Sequence, residues 1–174
     1  MTIGELENLI HNYGRDIYNF CLRLTGSRQE AEDLYQDTFL TAMERISRIN
    51  TAHNPKSYLL SIALHIWKNR TRKAAWRQRI APAVDTPESV PEPSSPDSSP
   101  EELAISGEER DAVLQAIAGL ADKYRLPVIL YYGQQLSLKE IAAVLSIPVS
   151  TVKSRLYQAR KLLQKELEVF FHET

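Results

Sequence analysis

Residues 137–163 read SLKEIAAVLSIPVSTVKSRLYQARKLL, and their spacing decides the fold. Ser137-Leu138-Lys139-Glu140 is a capping box, in which a serine and a glutamate three residues on satisfy each other's free amides at a helix start. Ile141, Ala142 and Leu145 then repeat at helical spacing up to the turn Ser146-Ile147-Pro148, and Val152, Leu156, Ala159 and Leu163 repeat beyond it. Ile147 lies between the two apolar sets, and Ala142 supplies the small residue where two steeply crossed helices come close. The pattern is a helix-turn-helix, with helices over 138–145 and 148–168. Turning the second stripe inward turns Ser150, Ser154, Tyr157, Gln158 and Lys161 outward, with Lys153, Arg155 and Arg160 on the flanks. Serine, glutamine and lysine can hydrogen-bond base edges, while flanking cations reach phosphates. An ordinary helical hairpin with a solvated polar face would carry the same pattern.

Upstream of this hairpin lies PAVDTPESVPEPSSPDSSP, residues 82–100, with six of the nine prolines, five serines and no aromatic residue. Such a segment cannot bury enough apolar surface to offset its ordering entropy, so a disordered linker is expected over 81–100. Partly extended, it would reach at most roughly 60 Å. It divides the 174 residues into small lobes over 1–80 and 101–174. Recurring caps and the lack of sustained alternation make both lobes helical, so the expected fold is all-α. Further helices are expected over 2–25 (with a possible break near Gly14), 28–48, 55–79, 100–118 and 122–132. Their starts are marked by capping boxes at Ser27 and Ser99 and by Asn54 before Pro55, their ends by Gly26, Gly119 and Gly133. Pro127 falls inside the fifth of the seven helices, where proline is disfavoured.

The net charge of −1 conceals strong segregation. Residues 45–84 hold nine basic side chains and no acidic one, while 85–111 hold nine acidic and one basic. A local basic stretch of this kind suits a phosphate backbone. It coincides with the helix SYLLSIALHIWKNRTRKAAWRQR (57–79), where Lys68, Arg70, Arg72, Lys73, Arg77 and Arg79 alternate with Tyr58, Trp67 and Trp76. Cations along a path with aromatic platforms are what single-stranded or melted DNA requires. Tyr58 and Trp67 would equally serve as core residues of a small lobe.

Helix 28–48 carries a second pattern. Its inward stripe is Ala31, Leu34, Thr38, Ala42 and Ile46, with Tyr35, Phe39 and Met43 beside it. The opposite face presents Asp33, Gln36, Asp37, Leu40 and Glu44. A leucine amid acids suits docking to a basic, partly apolar partner. Asp33 and Asp37 could alternatively share a divalent metal, although no further ligands are recognisable.

Other classes find little support. One cysteine, Cys21, excludes an internal disulfide framework, and its neighbours Phe20 and Leu24 point to a buried, inert thiol. The four histidines are scattered without HExxH, and no GxGxxG or GxxxxGK[ST] loop or nucleophile–base pair is visible. No enzyme activity, cofactor, metal or small-molecule substrate is expected. No apolar run approaches a membrane span and the start lacks a signal-peptide pattern, so a cytoplasmic protein is expected.

AEDLYQDTFLTA (31–42), NPKSYLLSIA (54–63) and LSLKEIAAVLSIPVSTVKSRLYQARKLL (136–163) resemble the extracytoplasmic-function (ECF) sigma factors of bacterial RNA polymerase. The resemblance covers both lobes in order and implies promoter-specific transcription initiation. It implies that Asp33, Gln36, Asp37 and Leu40, on the face that also holds Glu44, meet the clamp helices of the polymerase β′ subunit, and that the C-terminal lobe meets the β flap. Tyr58, Ser61, His65, Lys68, Asn69, Arg70, Arg72 and Lys73 fall in the segment that melts and reads the −10 element. Ser150, Thr151, Lys153, Ser154, Arg155, Tyr157, Gln158 and Lys161 fall on the helix that enters the major groove at the −35 element. Control by an anti-sigma factor, often membrane-anchored, is also implied. Tyr58 stands where the family often has Trp, Ser61 where it often has a basic residue, and His65 where it often has Asn. The competing readings are a two-lobed regulator that binds DNA without polymerase, a metal-dependent nucleic-acid enzyme using Asp33 and Asp37, and a tether that binds no DNA.

Overall fold

The computed structural model describes residues 3–45, 54–80 and 107–173. Every regular element among them is helical. They run α1 (Ile3–Thr25), α2 (Arg28–Glu44), α3 (Pro55–Ile80), α4 (Gly107–Ala118), α5 (Asp122–Val128), α6 (Leu138–Leu145) and α7 (Val149–Glu173), with a π-helical turn over Ile129–Gly133 after α5. They fall into two compact units, α1–α3 within Met1–Pro93 and the rest within Ser94–Thr174. The expected linker over 81–100, the capping box at Ser99, the first residues of the helix expected from 100, and Ile46 with the end of the helix expected to 48 all lie outside the described residues.

In the first unit all three helices touch one another. Ile17, Phe20, Cys21, Leu34, Leu59 and Leu60 are completely buried between them. Full burial of each large aliphatic or aromatic side chain contributes about 1.5–3 kcal/mol, which is what holds so small a unit together. Thr38 is buried too, and its Oγ1 donates to the Leu34 carbonyl at 2.7 Å, so this hydroxyl is paired. α1 runs unbroken through Gly14, contrary to the possible break there. A Cβ at Gly14 would lie 2.9 Å from the Tyr35 hydroxyl, so this glycine serves close packing of α1 on α2 and not a bend. Gly26, at φ +67°, closes α1 in the left-handed region that favours glycine. Ser27 Oγ accepts the Glu30 amide to start α2, and Asn54 Oδ1 accepts the Lys56 amide to start α3. α2 stops at Glu44, where the Arg45 amide turns back to the Thr41 and Ala42 carbonyls.

In the second unit α7 packs against α4, α5 and α6. Leu130, Ile141, Val152, Leu156 and Ala159 lie at the centre of its core. The helix expected over 122–132 is instead a short α5 followed by the π turn. Pro127, buried inside α5, has no amide to donate to the preceding turn, and the backbone beyond it widens. The Gln134 amide bonds the Ile129 carbonyl and the Leu136 amide that of Leu130, each at 3.1 Å. α7 continues to Glu173, five residues past the expected end at 168.

Candidate functional site

α2 is held by its buried stripe of Ala31, Leu34, Thr38, Phe39 and Ala42, and this fixes what it shows to solvent. Asp33, Gln36, Leu40 and Glu44 are exposed, with Leu40 at 54%, and Asp37 is half-buried. Met43, expected beside the packed stripe, is 46% exposed instead. One turn from Leu40, it widens the apolar part of the acidic face.

α3 is divided along its length. Its first turns bury Leu59, Leu60, Ile62, Ala63 and Leu64, whereas every residue from Arg70 to Ile80 is exposed. Tyr58 and Ser61 are half-buried, and the Ser61 hydroxyl donates to the Ser57 carbonyl at 2.9 Å. His65 is exposed, and its Nε2 lies 3.3 Å from the Asn69 Nδ2. Lys68, Arg72 and Lys73 stand in solvent with Arg77 and Arg79, alongside Trp76 at 63% exposure. Trp67 is half-buried, between the two roles open to it.

Two expected assignments meet in one contact. The Arg70 guanidinium donates to the Asp37 carboxylate, joining a residue expected to dock a protein to one expected to hold DNA. Neither side chain is unengaged, and periodicity could not show it because the partners lie 33 residues apart. The contact also ties up one of the two aspartates considered for a metal. Among the described residues no three His, Cys, Asp or Glu side chains gather where a metal could bind. At the start of α3, Lys56 Nζ lies 3.3 Å from Asp16 Oδ2 on α1, a link that spacing did not signal either. Behind this face the Cys21 thiol is buried, and burial pushes its pKa up to about 12, so it is a protonated core group at neutral pH.

The second unit forms the expected hairpin. The Ser137 hydroxyl accepts the Glu140 amide at 3.2 Å and the Glu140 carboxylate accepts the Ser137 amide at 3.4 Å, closing the capping box. α6 ends on Ser146 at φ 55°, with the Ile147 amide bonded back to the Ala142 carbonyl. This left-handed turn, occupied without glycine, re-aims the chain into α7. With Val152, Leu156 and Ala159 buried, Ser150, Lys153, Ser154, Tyr157, Gln158 and Lys161 are exposed, and Thr151 and Arg155 are half-buried. The Lys161 ammonium sits 4.6 Å from the Tyr157 ring centroid, ordering part of the polar row. Arg160, expected simply to flank that row, is held by a residue the sequence reading did not single out: its Nε donates to the Tyr132 hydroxyl at 2.7 Å.

The Sigma-70 region 2 family model matches residues 9–77, and the Sigma-70 region 4 model matches residues 110–163. Over 163 residues the chain is 32% identical to the ECF RNA polymerase sigma factor SigW of Bacillus subtilis, covering 92% of this chain and 87% of that one. It is 27% identical to SigX of the same organism, over 95% of this chain and 84% of that one. Among solved structures, the sigma factor RpoE in complex with the anti-sigma factor NepR from Bartonella quintana superposes with a TM-score of 0.79, at 22% identity over 96% of this chain and 99% of that one. That likeness shows the fold, whereas the two matched regions and the identity over nearly the whole chain show the family. The chain belongs to the ECF sigma factors of bacterial RNA polymerase.

Proposed function

We propose that this chain binds core RNA polymerase and directs it to promoters by recognising their −35 and −10 elements, as a binding subunit and not a catalyst. The observation that carries this is the pairing, in one chain, of a capped helix-turn-helix with a solvent-facing polar row on α7 and an acidic, apolar face on α2 beside the basic half of α3. On this reading residues 1–80 dock polymerase and engage the −10 region, residues 101–174 engage the −35 region and the β flap, and 81–100 connect them. Leu40 and Met43 provide an apolar patch for the β′ clamp helices, ringed by Asp33, Gln36 and Glu44. Tyr58, Ser61, His65, Lys68, Asn69, Arg72 and Lys73 meet the melted −10 strand, with Arg70 joining them when it leaves Asp37. Ser150, Thr151, Ser154, Tyr157 and Gln158 meet base edges, and Lys153, Arg155 and Lys161 meet phosphates. Work on chromosomal DNA puts the protein in the cytoplasm.

The RpoE structure is a complex with an anti-sigma factor, and CnrH, at a TM-score of 0.66, is in complex with the cytosolic domain of CnrY. These complexes support a reading in which this chain is also held inactive by an anti-sigma factor, membrane-anchored or soluble. The test of the main reading is transcription in vitro by core polymerase on a genomic library, with and without the chain. New start sites that share −35 and −10 sequences are the expected result. DNA binding without core polymerase, and no chain-dependent transcripts, would favour a polymerase-independent regulator instead.

A further inference from the structure

The π turn after α5 carries Tyr131 and Tyr132, whose rings meet edge to face at 4.9 Å and 80°. The Arg160 guanidinium carbon lies 5.8 Å from one ring centroid and 5.7 Å from the other, while its Nε donates to Tyr132 Oη at 2.7 Å. Two cation–π contacts and a directed hydrogen bond together hold the long arginine side chain, which in solution would sample many rotamers. Tyr132 nevertheless remains 54% exposed and Arg160 is exposed, so the pair is not a buried brace. With Nε spent, the guanidinium keeps its four Nη hydrogens, and the phenol, accepting from Nε, keeps its own O–H to donate. Residues 141–165 contain five cations and no acid, so no carboxylate on this stretch competes for those donors. On α7 Arg160 occupies the flank between the buried stripe and the exposed polar row, and Tyr132 extends that flank beyond the helix.

We propose that Tyr132 and Arg160 form one binding site for a DNA backbone phosphate at the edge of the −35 contact, with Tyr132 as the residue that positions the guanidinium. The proposal rests on the reading of α7 as the duplex-binding helix and deepens it. A fixed guanidinium fork with a neighbouring hydroxyl matches the two free oxygens of a phosphodiester, which carry no sequence information. The site therefore adds affinity and register and leaves base preference to Ser154, Tyr157 and Gln158. Tyr132 reaches Arg160 from the π turn that follows α5.

The test uses the full chain bound to core polymerase on a promoter duplex in which single phosphates of the −35 region are replaced by neutral methylphosphonates. The wild-type complex is expected to lose affinity at one flanking position that Arg160→Ala no longer senses. Arg160→Ala is expected to lower the slope of log affinity against log salt by about one. Tyr132→Phe, which keeps the ring and removes the hydroxyl, is expected to weaken binding about threefold, and to have no effect once Arg160 is alanine. Unchanged affinity, slope and phosphate sensitivity in both variants, while Gln158→Ala still alters −35 preference, would make the pair a purely structural tie and overturn the proposal. If Gln158→Ala is silent as well, the reading of α7 itself fails and the proposal falls with it.

Discussion

α3 and α7 are nearly equal in length and both present cations, yet they suit different nucleic-acid surfaces. α3 buries only its first turns and then runs eleven residues, Arg70–Ile80, with every side chain exposed. Its cations are long, its aromatic Trp76 is exposed, and it offers few short polar groups. α7 is anchored along its N-terminal half by Val152, Leu156 and Ala159, and its exposed row is made of serines, a tyrosine and a glutamine between cations. Bases out of the stack need ring faces and charge; bases within a duplex need hydrogen-bonding groups held at fixed positions on a helix. The difference lies in the polar residues, and charge alone would not separate the two helices. Each also has one exposed arginine engaged by a neighbour: Arg70 by a carboxylate and Arg160 by two tyrosines. The first contact neutralises its cation and the second leaves the charge uncompensated, so the two arginines should behave differently toward DNA.

The largest expected effect concerns what positions these helices. Leu34→Ala, at a fully buried site, should destabilise the first unit by about 2–5 kcal/mol, read from thermal or denaturant unfolding. Leu40→Arg on the same helix should leave folding intact and instead cost about 2–4 kcal/mol of association with core polymerase, measured by titration. Loss of folding with Leu40→Arg would show that its exposure does not reflect its role.

Next, Gln158→Ala should relax preference at one or two −35 positions by about 1–3 kcal/mol in a randomised promoter selection. An unchanged preference in Gln158→Ala, Ser154→Ala and Tyr157→Ala alike would erase the contrast between α7 and α3.

Smaller and uniform across sequences are the effects of the α3 cations. Arg72→Ala should reduce the salt slope for a pre-melted promoter by up to about one, and Arg70→Ala by less, because Asp37 already compensates Arg70. Asp37→Asn should then restore a full contribution from Arg70. Equal slopes for Arg70→Ala and Arg72→Ala would mean that the ion pair opens freely in the complex.

A further effect is confined to alkaline pH. Cys21 has a folded pKa of about 12 against 9.0 for an unperturbed thiol, so the unfolded state loses its proton first as pH rises. Its contribution to stability is complete below about 9 and is lost progressively as pH climbs through the folded value. Cys21→Ala should therefore flatten the alkaline limb of stability relative to wild type, at the cost of a small cavity. Parallel limbs would show that the thiol is less buried than the packing implies.

Features carried by neighbours within one or two turns were legible in the chain itself. The capping box at Ser137 and Glu140, the cap at Asn54, the stripe Val152–Leu156–Ala159 and the outward row beginning at Ser150 all follow from the 3.6-residue period and from local amide chemistry. Matches at that range need no knowledge of the rest of the fold. The possible break at Gly14 was overruled by Tyr35 packing from another helix, and Pro127 widened a turn that periodicity alone would have continued. Only the tertiary structure decided that Asp37 faces Arg70 across 33 residues and that Arg160 finds Tyr132 across 28. Sequence spacing specifies which face of a helix is apolar, but the angle and register at which two such faces meet depend on how the whole core fills space, and that decides which charged side chains touch.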